Sequence, residues 1–178
     1  MTPPAPILVG QVGNLLWLRV EGKGSFQNSV QVKRCFQTMM EKGSRHFVVD
    51  LERCPIMDST FLGTLTGAAL NLQSKGEGEV CIINANARNH QLLTSLGLDH
   101  ILEVDTEGER YREERELVRA DLSTIPQEGG APDKTEQAEH VLAAHEALTQ
   151  ANEENASRFK DVIEFLEKEL RAKSGATA

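Results

Sequence analysis

The chain has 178 residues, of which 39% are hydrophobic and only 4% are aromatic, and this favours an α/β domain with an extension over a β-sandwich. Three widely spaced cysteines without a CxxC pair argue against a disulfide framework or a zinc site and fit a reducing cytoplasm. The opening MTPPAPILVG has no signal-peptide pattern, and no apolar run reaches the roughly 20 residues that cross a bilayer. We therefore expect a cytoplasmic protein that does not enter membranes.

The net charge of −8 is unevenly distributed along the chain. Residues 1–104 carry nine acidic and nine basic side chains, whereas residues 105–178 carry 18 acidic and ten basic ones. Such an acidic segment repels phosphate backbones, which argues against nucleic acid as a partner. The change in composition predicts a domain boundary near residue 105, with the α/β domain over residues 1–104.

The first 104 residues alternate between strand-like and helix-like patterns. They begin with strands at PILVGQV and LLWLRVEG joined by a Gly13-Asn14 turn, then a helix from Asn28 or Ser29 to about Lys42 and a strand at 46–52. A helix from Ser59 to about Ser74, a strand at 79–84, a helix capped by Asn86 and ending at Leu96, and a short strand at 100–104 follow. The fold class is therefore α/β, a mixed β-sheet of about five strands covered by helices.

The remaining residues predict a linker and a C-terminal α-helical extension. Residues 105–132 include LSTIPQEGGAPD, with two prolines and two adjacent glycines, and this composition predicts a linker. Residues 133–178 are predicted to form one long helix or a helical hairpin broken at 152–155, because apolar residues recur at steps of three and four. The apolar face is expected to pack on the α/β domain. A homodimer or scaffold joint and an autoinhibitory cover are the alternatives.

The segment MDSTFLG, residues 57–63, interrupts an apolar stretch with an acid and two hydroxyls. Asp58 or Ser59 can cap the following helix, because the first backbone N–H groups of a helix lack partners. A hydroxyl at this position is exposed, and the partial positive charge of the helix start tolerates a phosphate. Gly63 and Gly67 are expected to let this helix approach the sheet closely.

The stretch from VVDLERCPIMDSTFLG through VCIIN to LLTSLGLDHILEV resembles the STAS domain, the fold of bacterial anti-sigma factor antagonists. The resemblance is carried by the Met57-Asp58-Ser59-Thr60 turn after a strand and loop, by Leu62-Gly63 in the next helix, and by the downstream Leu-Gly-Leu. It covers roughly residues 7–104 and implies a STAS-like sheet there.

The resemblance implies a non-enzymatic signalling module that regulates transcription by partner switching, with Ser59 as the phosphorylation site. The unphosphorylated domain would bind an anti-sigma factor, often a serine kinase of the histidine-kinase-like ATPase fold. Phosphorylation would end that binding, and a phosphatase would restore it. The residues implied to contact the partner are Asp58, Thr60, Phe61, Leu62, Gly63, Lys23 and Ser25.

Two positions depart from the family pattern. Phe61 stands where the family commonly has glycine, and its side chain either anchors a partner or packs inward. Lys23 and Ser25 stand where the family commonly has acidic residues, which changes the charge presented to a kinase-type partner.

Other functional classes have weaker support in the sequence. A STAS-fold scaffold for signalling complexes is one alternative, and a small-ligand or nucleotide sensor that uses the loop at residues 22–25 is another. No catalytic residues are predicted, because no GxSxG elbow surrounds Ser59. His140 and His145 are five residues apart, on different faces of a helix, so we expect neither a metal site nor a cofactor.

Overall fold

The computed structural model describes residues 3–125 and 129–176, and the strands within them form one mixed sheet in the order β5-β4-β3-β2-β1-β6. The strands are β1 (Ile7–Val12), β2 (Leu15–Val20), β3 (His46–Asp50), β4 (Glu79–Ile83), β5 (Glu103–Val104) and β6 (Ser123–Thr124). β1 pairs antiparallel with β2 and with β6. The pairs β2–β3, β3–β4 and β4–β5 are parallel. The α/β prediction with a mixed sheet is confirmed, and β6 is a strand that the sequence did not indicate.

Helices lie on both faces of the sheet. They are α1 (Phe26–Glu41), α2 (Ser59–Ser74), α3 (Ala87–Ser95), α4 (Arg112–Arg119), α5 (Lys134–Ala151), α6 (Glu154–Arg158) and α7 (Lys160–Ala176). The helices α1, α2 and α3 cover one face of the sheet. On the opposite face, Val118 of α4 packs against the sheet. Burial on both faces explains why FVV and VCII are apolar without alternation.

The start of α1 differs from the prediction. Its N-cap is Ser25, whose hydroxyl accepts a hydrogen bond from the N–H of Gln27, while the Asn28 side chain accepts one from the N–H of Ser25. This reciprocal pattern is a capping box, and it places Asn28 and Ser29 inside the first turn. The prediction that Asn28 or Ser29 begins the helix is therefore wrong by about one turn.

Residues 105–132, predicted to be a linker, instead contain α4 and β6. Asp105 organises the entry to this segment by accepting hydrogen bonds from the N–H groups of Glu107, Glu109 and Arg110 and from the Arg115 guanidinium at 2.8 Å. Burial alone would raise the pKa of Asp105, but these N–H groups and Arg115 together lower it. The linker prediction is wrong here because the contacts of Asp105 within the segment and the packing of Val118 with Trp17 on the sheet order it.

The helix α4 is held against the far face of the sheet by a small apolar contact. Val118 is 2% exposed and belongs to the cluster that contains Trp17. A Cβ at Gly10 would lie 2.6 Å from Val118 Cγ2, so glycine in β1 allows the helix to come this close. Leu117, the preceding residue, points away from the sheet and is 60% exposed.

The C-terminal helices fold back on the rest of the chain. α5 ends at Ala151, and α7 returns along α5 after the short helix α6. Asn155 fixes this corner, because its side-chain amide donates to the carbonyls of Leu96 and Leu148 at 2.9 and 2.8 Å. Leu148 is fully buried in the main core, the apolar cluster between the sheet and the helices α1, α2 and α3. The structure shows intramolecular packing, which is common to two of the three arrangements considered for the extension, packing on the α/β domain and an autoinhibitory cover. Among the described residues, no helix combines the length and apolarity that a bilayer crossing requires.

Val118→Ala tests whether α4 is part of the folded unit. We expect it to lower the free energy of unfolding by about 1 to 3 kcal/mol, since it removes buried methyl groups. The matched change Leu117→Ala should stay within about 0.5 kcal/mol, because that side chain is exposed. Urea denaturation of both variants measures the difference, and equal effects would show that α4 does not pack as described.

Candidate functional site

Two loops meet at the candidate site, one between β2 and α1 and the other between β3 and α2. They are joined as a short parallel bridge between Gly24 and Met57. The N–H of Gly24 donates to Ile56 O at 3.0 Å, and the N–H of Asp58 donates to Gly24 O at 2.8 Å. Residues 22–25 and 57–60, which are distant in sequence, therefore form one continuous surface.

The Asp58 carboxylate caps two helices at once. Its Oδ1 accepts from the N–H of Phe61 in the first turn of α2, and its Oδ2 accepts from the N–H of Phe26 at the start of α1, both at 2.9 Å. A negative group is stabilised at each helix N-terminus by the unpaired N–H groups and the helix dipole. Asp58 thus sets the relative position of α1 and α2, in addition to the capping role that the sequence predicted.

The loop at residues 22–25 does not resemble a phosphate cradle. The N–H groups of Gly24, Ser25 and Phe26 donate to Ile56 O, Asn28 Oδ1 and Asp58 Oδ2 respectively. A phosphate loop needs such donors free to bind the ligand. The nucleotide alternative therefore loses its structural basis.

Ser59 is the first residue of α2 and is half-buried. Its hydroxyl lies 3.0 Å from Nε2 of His145 on α5. His145 Nδ1 lies 2.7 Å from Val141 O, and since a carbonyl only accepts, Nδ1 carries the hydrogen. In the neutral imidazole, Nε2 is therefore an acceptor, and Ser59 donates to it. The His145 ring also packs edge-on against Phe159, with ring centroids 5.2 Å apart.

A second histidine of α5 reaches hydroxyls of α1 and α2. His140 Nε2 lies 2.7 Å from Ser29 Oγ and 3.4 Å from Thr64 Oγ1. Both hydroxyls already donate to backbone carbonyls, so His140 must donate from Nε2. Its Nδ1 is then a buried acceptor without a partner among the described residues. A cavity of about 170 Å³ between α1, α2 and α5 adjoins this ring.

Gly63 and Gly67 bring α5 into contact with α2. A Cβ at Gly63 would overlap the carbonyl oxygen of Ala144, and one at Gly67 would lie 3.7 Å from Ala147 Cβ. The expectation that these glycines serve packing against the sheet is wrong, because their open side faces α5.

The predicted partner contacts differ widely in exposure. Lys23 is exposed, and Asp58 and Ser59 are half-buried. Phe61 and Leu62 are fully buried in the main core, so Phe61 packs inward and neither side chain can contact a partner in this conformation. The other three are buried: Ser25 caps α1, Gly63 lies beneath α5, and Thr60 is 6% exposed.

Sequence reasoning missed the role of the two histidines. They were considered only as metal ligands, and their spacing argued against that. The available signal was two histidines on a helix whose other buried positions are three alanines and one leucine, namely Ala138, Ala144, Ala147 and Leu148. Their hydroxyl partners lie 86 and 111 residues away, a separation that no local pattern reveals.

A family model of the STAS domain matches residues 6–110, which is more than half of the chain. The chain belongs to the STAS domain family. The helices α4 to α7 begin after the matched residues.

Three solved structures resemble this STAS domain. The candidate anti-sigma factor antagonist tm1081 of Thermotoga maritima is 22% identical with a TM-score of 0.52, over 62% of this chain and 92% of tm1081. The unphosphorylated anti-sigma factor antagonist SpoIIAA, a Bacillus protein, is 19% identical with a TM-score of 0.52, over 63% and 98%. An anti-sigma factor antagonist from Mycobacterium paratuberculosis is 15% identical with a TM-score of 0.54, over 67% and 97%. At these identities the likeness establishes the fold. A search of curated proteins finds no match.

Asp58→Ala tests the double cap. Loss of both acceptors should lower the free energy of unfolding by about 2 to 3 kcal/mol, because each cap contributes roughly 1 kcal/mol. Asp133→Ala is the matched control, since Asp133 caps α5 through one hydrogen bond and should cost about 1 kcal/mol or less. Chemical denaturation compares the two, and an equal cost would contradict a double cap.

The pH dependence of stability tests the burial of His140. Burial, together with the smaller effects of Lys33 and Arg34 and against the opposing effect of Glu136, lowers the pKa of His140 from 6.5 to about 4. The unfolded chain therefore binds the proton more readily, so the contribution to stability is complete above pH 6.5 and is lost as the pH falls towards 4. Between about pH 6.5 and about pH 5 we expect a loss of about 2 kcal/mol.

His140→Gln should remove this part of the pH dependence in urea denaturation. His90→Gln is the control, because His90 is exposed on α3. An unchanged pH dependence in His140→Gln would show that His140 is not buried in the neutral form.

Proposed function

We propose that this STAS domain is an anti-sigma factor antagonist that works by partner switching, with Ser59 as the phosphate acceptor. The unphosphorylated chain binds an anti-sigma factor that is also a serine kinase of the histidine-kinase-like ATPase fold. Phosphorylation of Ser59 ends the complex, and a phosphatase restores it. The proposal places the chain in the bacterial cytoplasm, where sigma factors act.

The observation that carries this proposal is the position of the Ser59 hydroxyl. It stands at the first residue of α2, on the surface where the two loops meet. A phosphate there adds a charge of about −1.5 to −2 and is tolerated by the N–H groups of the helix start. The folded domain can therefore carry the modification.

The same position explains how a phosphate would end a complex. In an interface, the phosphate must lose its water next to the carboxylate of Asp58, and both desolvation and like-charge repulsion oppose binding. Because Asp58 is held by two backbone N–H groups, it cannot turn away from the new charge. Release would follow from electrostatics without unfolding.

The alternative of an oligomeric scaffold has one feature in its favour. Val162 and Phe165, three residues apart on α7, are 37% and 65% exposed. An apolar pair on an outer helix can join a second chain, and the solution mass of the protein decides this point.

The test uses Ser59→Ala, Ser59→Asp and the wild type against the anti-sigma factors encoded in the same genome. We expect Ser59→Ala to bind as the wild type does, and Ser59→Asp to bind at least about tenfold more weakly, a loss of about 1.4 kcal/mol. Ala87→Asp places the same charge at the first residue of α3, which is exposed, and should bind normally. Incubation with the kinase and ATP should add one phosphate to the wild type and none to Ser59→Ala. Equal binding by all variants would contradict partner switching.

A further inference from the structure

The helix α5 lies over the surface that the proposed function assigns to the partner. Its backbone contacts α2 at Gly63, where no room exists for even a Cβ against Ala144 O. One turn earlier on α2, the Ser59 hydroxyl makes its hydrogen bond with Nε2 of His145. A kinase active site must reach this oxygen, and an antagonist complex must cover the same helix start.

The contact between α5 and α2 is close, and small residues make part of it. Its residues include small ones, Gly63, Gly67, Ala144 and Ala147, and its polar contacts join the two histidines of α5 to the hydroxyls of Ser59 and Thr64. Small side chains bury little apolar area, and a typical hydrogen bond makes a net contribution of only about 0.5 to 1.5 kcal/mol. Such a contact can open without loss of the sheet, which has its own core under α1, α2 and α3.

We propose that α5 covers the surface around Ser59 at the start of α2, and that both partner binding and phosphorylation require α5 to move away from it. This inference rests on the proposed function for the identity of the surface. The closed chain is the resting state, in which His145 holds the Ser59 hydroxyl. A partner then binds with an affinity reduced by the fraction of chains that are open, so an open fraction of about 1% weakens binding about 100-fold.

The geometry of Gly67 and Ala147 allows α5 to be locked in place. The Cβ of a residue at 67 would lie 3.7 Å from the Cβ of residue 147, which matches the mean Cβ separation of a disulfide, about 3.8 Å. The double variant Gly67→Cys/Ala147→Cys should therefore close a disulfide on oxidation. Failure of this disulfide to form would itself contradict the described position of α5 against α2.

Access to position 59 can be measured without any partner. The variant Ser59→Cys is treated with a polyethylene-glycol maleimide, a reagent of protein-like bulk, and the modified residue is located by peptide mass. With the 67–147 disulfide closed, the thiol at position 59 should react at least about tenfold more slowly than in Ser59→Cys without the lock, because the bulky reagent needs α5 to move away from this half-buried position. Ala87→Cys, exposed at the start of α3, is the matched control and should react equally in both backgrounds.

A second variant opens the cover. In the full chain, His145→Ala removes the contact to position 59 and the ring contact to Phe159, and should speed the reaction of the position-59 thiol several-fold. Equal reaction rates of this thiol with the lock closed and with the lock absent would overturn the proposal, because the surface would then be reachable beneath α5.

The outcomes separate this inference from the proposed function. If the lock protects the thiol at position 59 but Ser59→Asp and Ser59→Ala bind anti-sigma factors alike, the cover exists and the partner switch does not. If Ser59→Asp abolishes binding but the locked chain binds as the unlocked chain does, the switch stands and the cover is refuted.

Discussion

The carboxylate of Asp58 is the contact on which the arrangement of the site depends. It accepts N–H groups from the first turns of α1 and α2 and so ties two helices and two loops that are separate in sequence. The Gly24–Met57 bridge sits directly beside it, and Phe61 fills the space beneath. Because this corner is fixed, the hydroxyl of Ser59 has a defined direction, and the surface at the start of α2 has a defined shape. The contact with α5 and the proposed contact with a partner both depend on that shape.

The STAS domain and its C-terminal helices form one packed unit. Leu148 of α5 lies in the main core, and Asn155 bridges α5 and the end of α3 through two carbonyls. The helix nevertheless meets α2 across glycines, alanines and the contacts of its two histidines with the hydroxyls of Ser59 and Thr64. An anchored end and a middle made partly of small residues suit the proposed role of a segment that uncovers a surface while remaining attached. In that proposal, attachment keeps the segment at high local concentration, which favours its return when a partner leaves.

The sequence predicted those features whose causes are local. The helix Ser59–Ser74 follows from the cap at Asp58 and from the Lys75-Gly76 end, all within a few residues of the helix. The buried strands follow from unbroken apolar runs. By contrast, α4 depends on Val118 packing in one cluster with Trp17 of β2, which is distant in sequence, so its charged sequence was taken for a linker. The role of His145 was invisible for the same reason, since its partner is 86 residues away.

The most direct measurement is hydrogen–deuterium exchange of the amides of α5, residues 134–151, in the free chain and in its complex with an anti-sigma factor. Exchange in α5 should become faster on binding, because the partner takes the surface that α5 had protected, while exchange in β3 and β4 stays unchanged. Binding that leaves the α5 amides as protected as before would mean that the partner docks with α5 in place, and would contradict the account of α5 as a cover over Ser59.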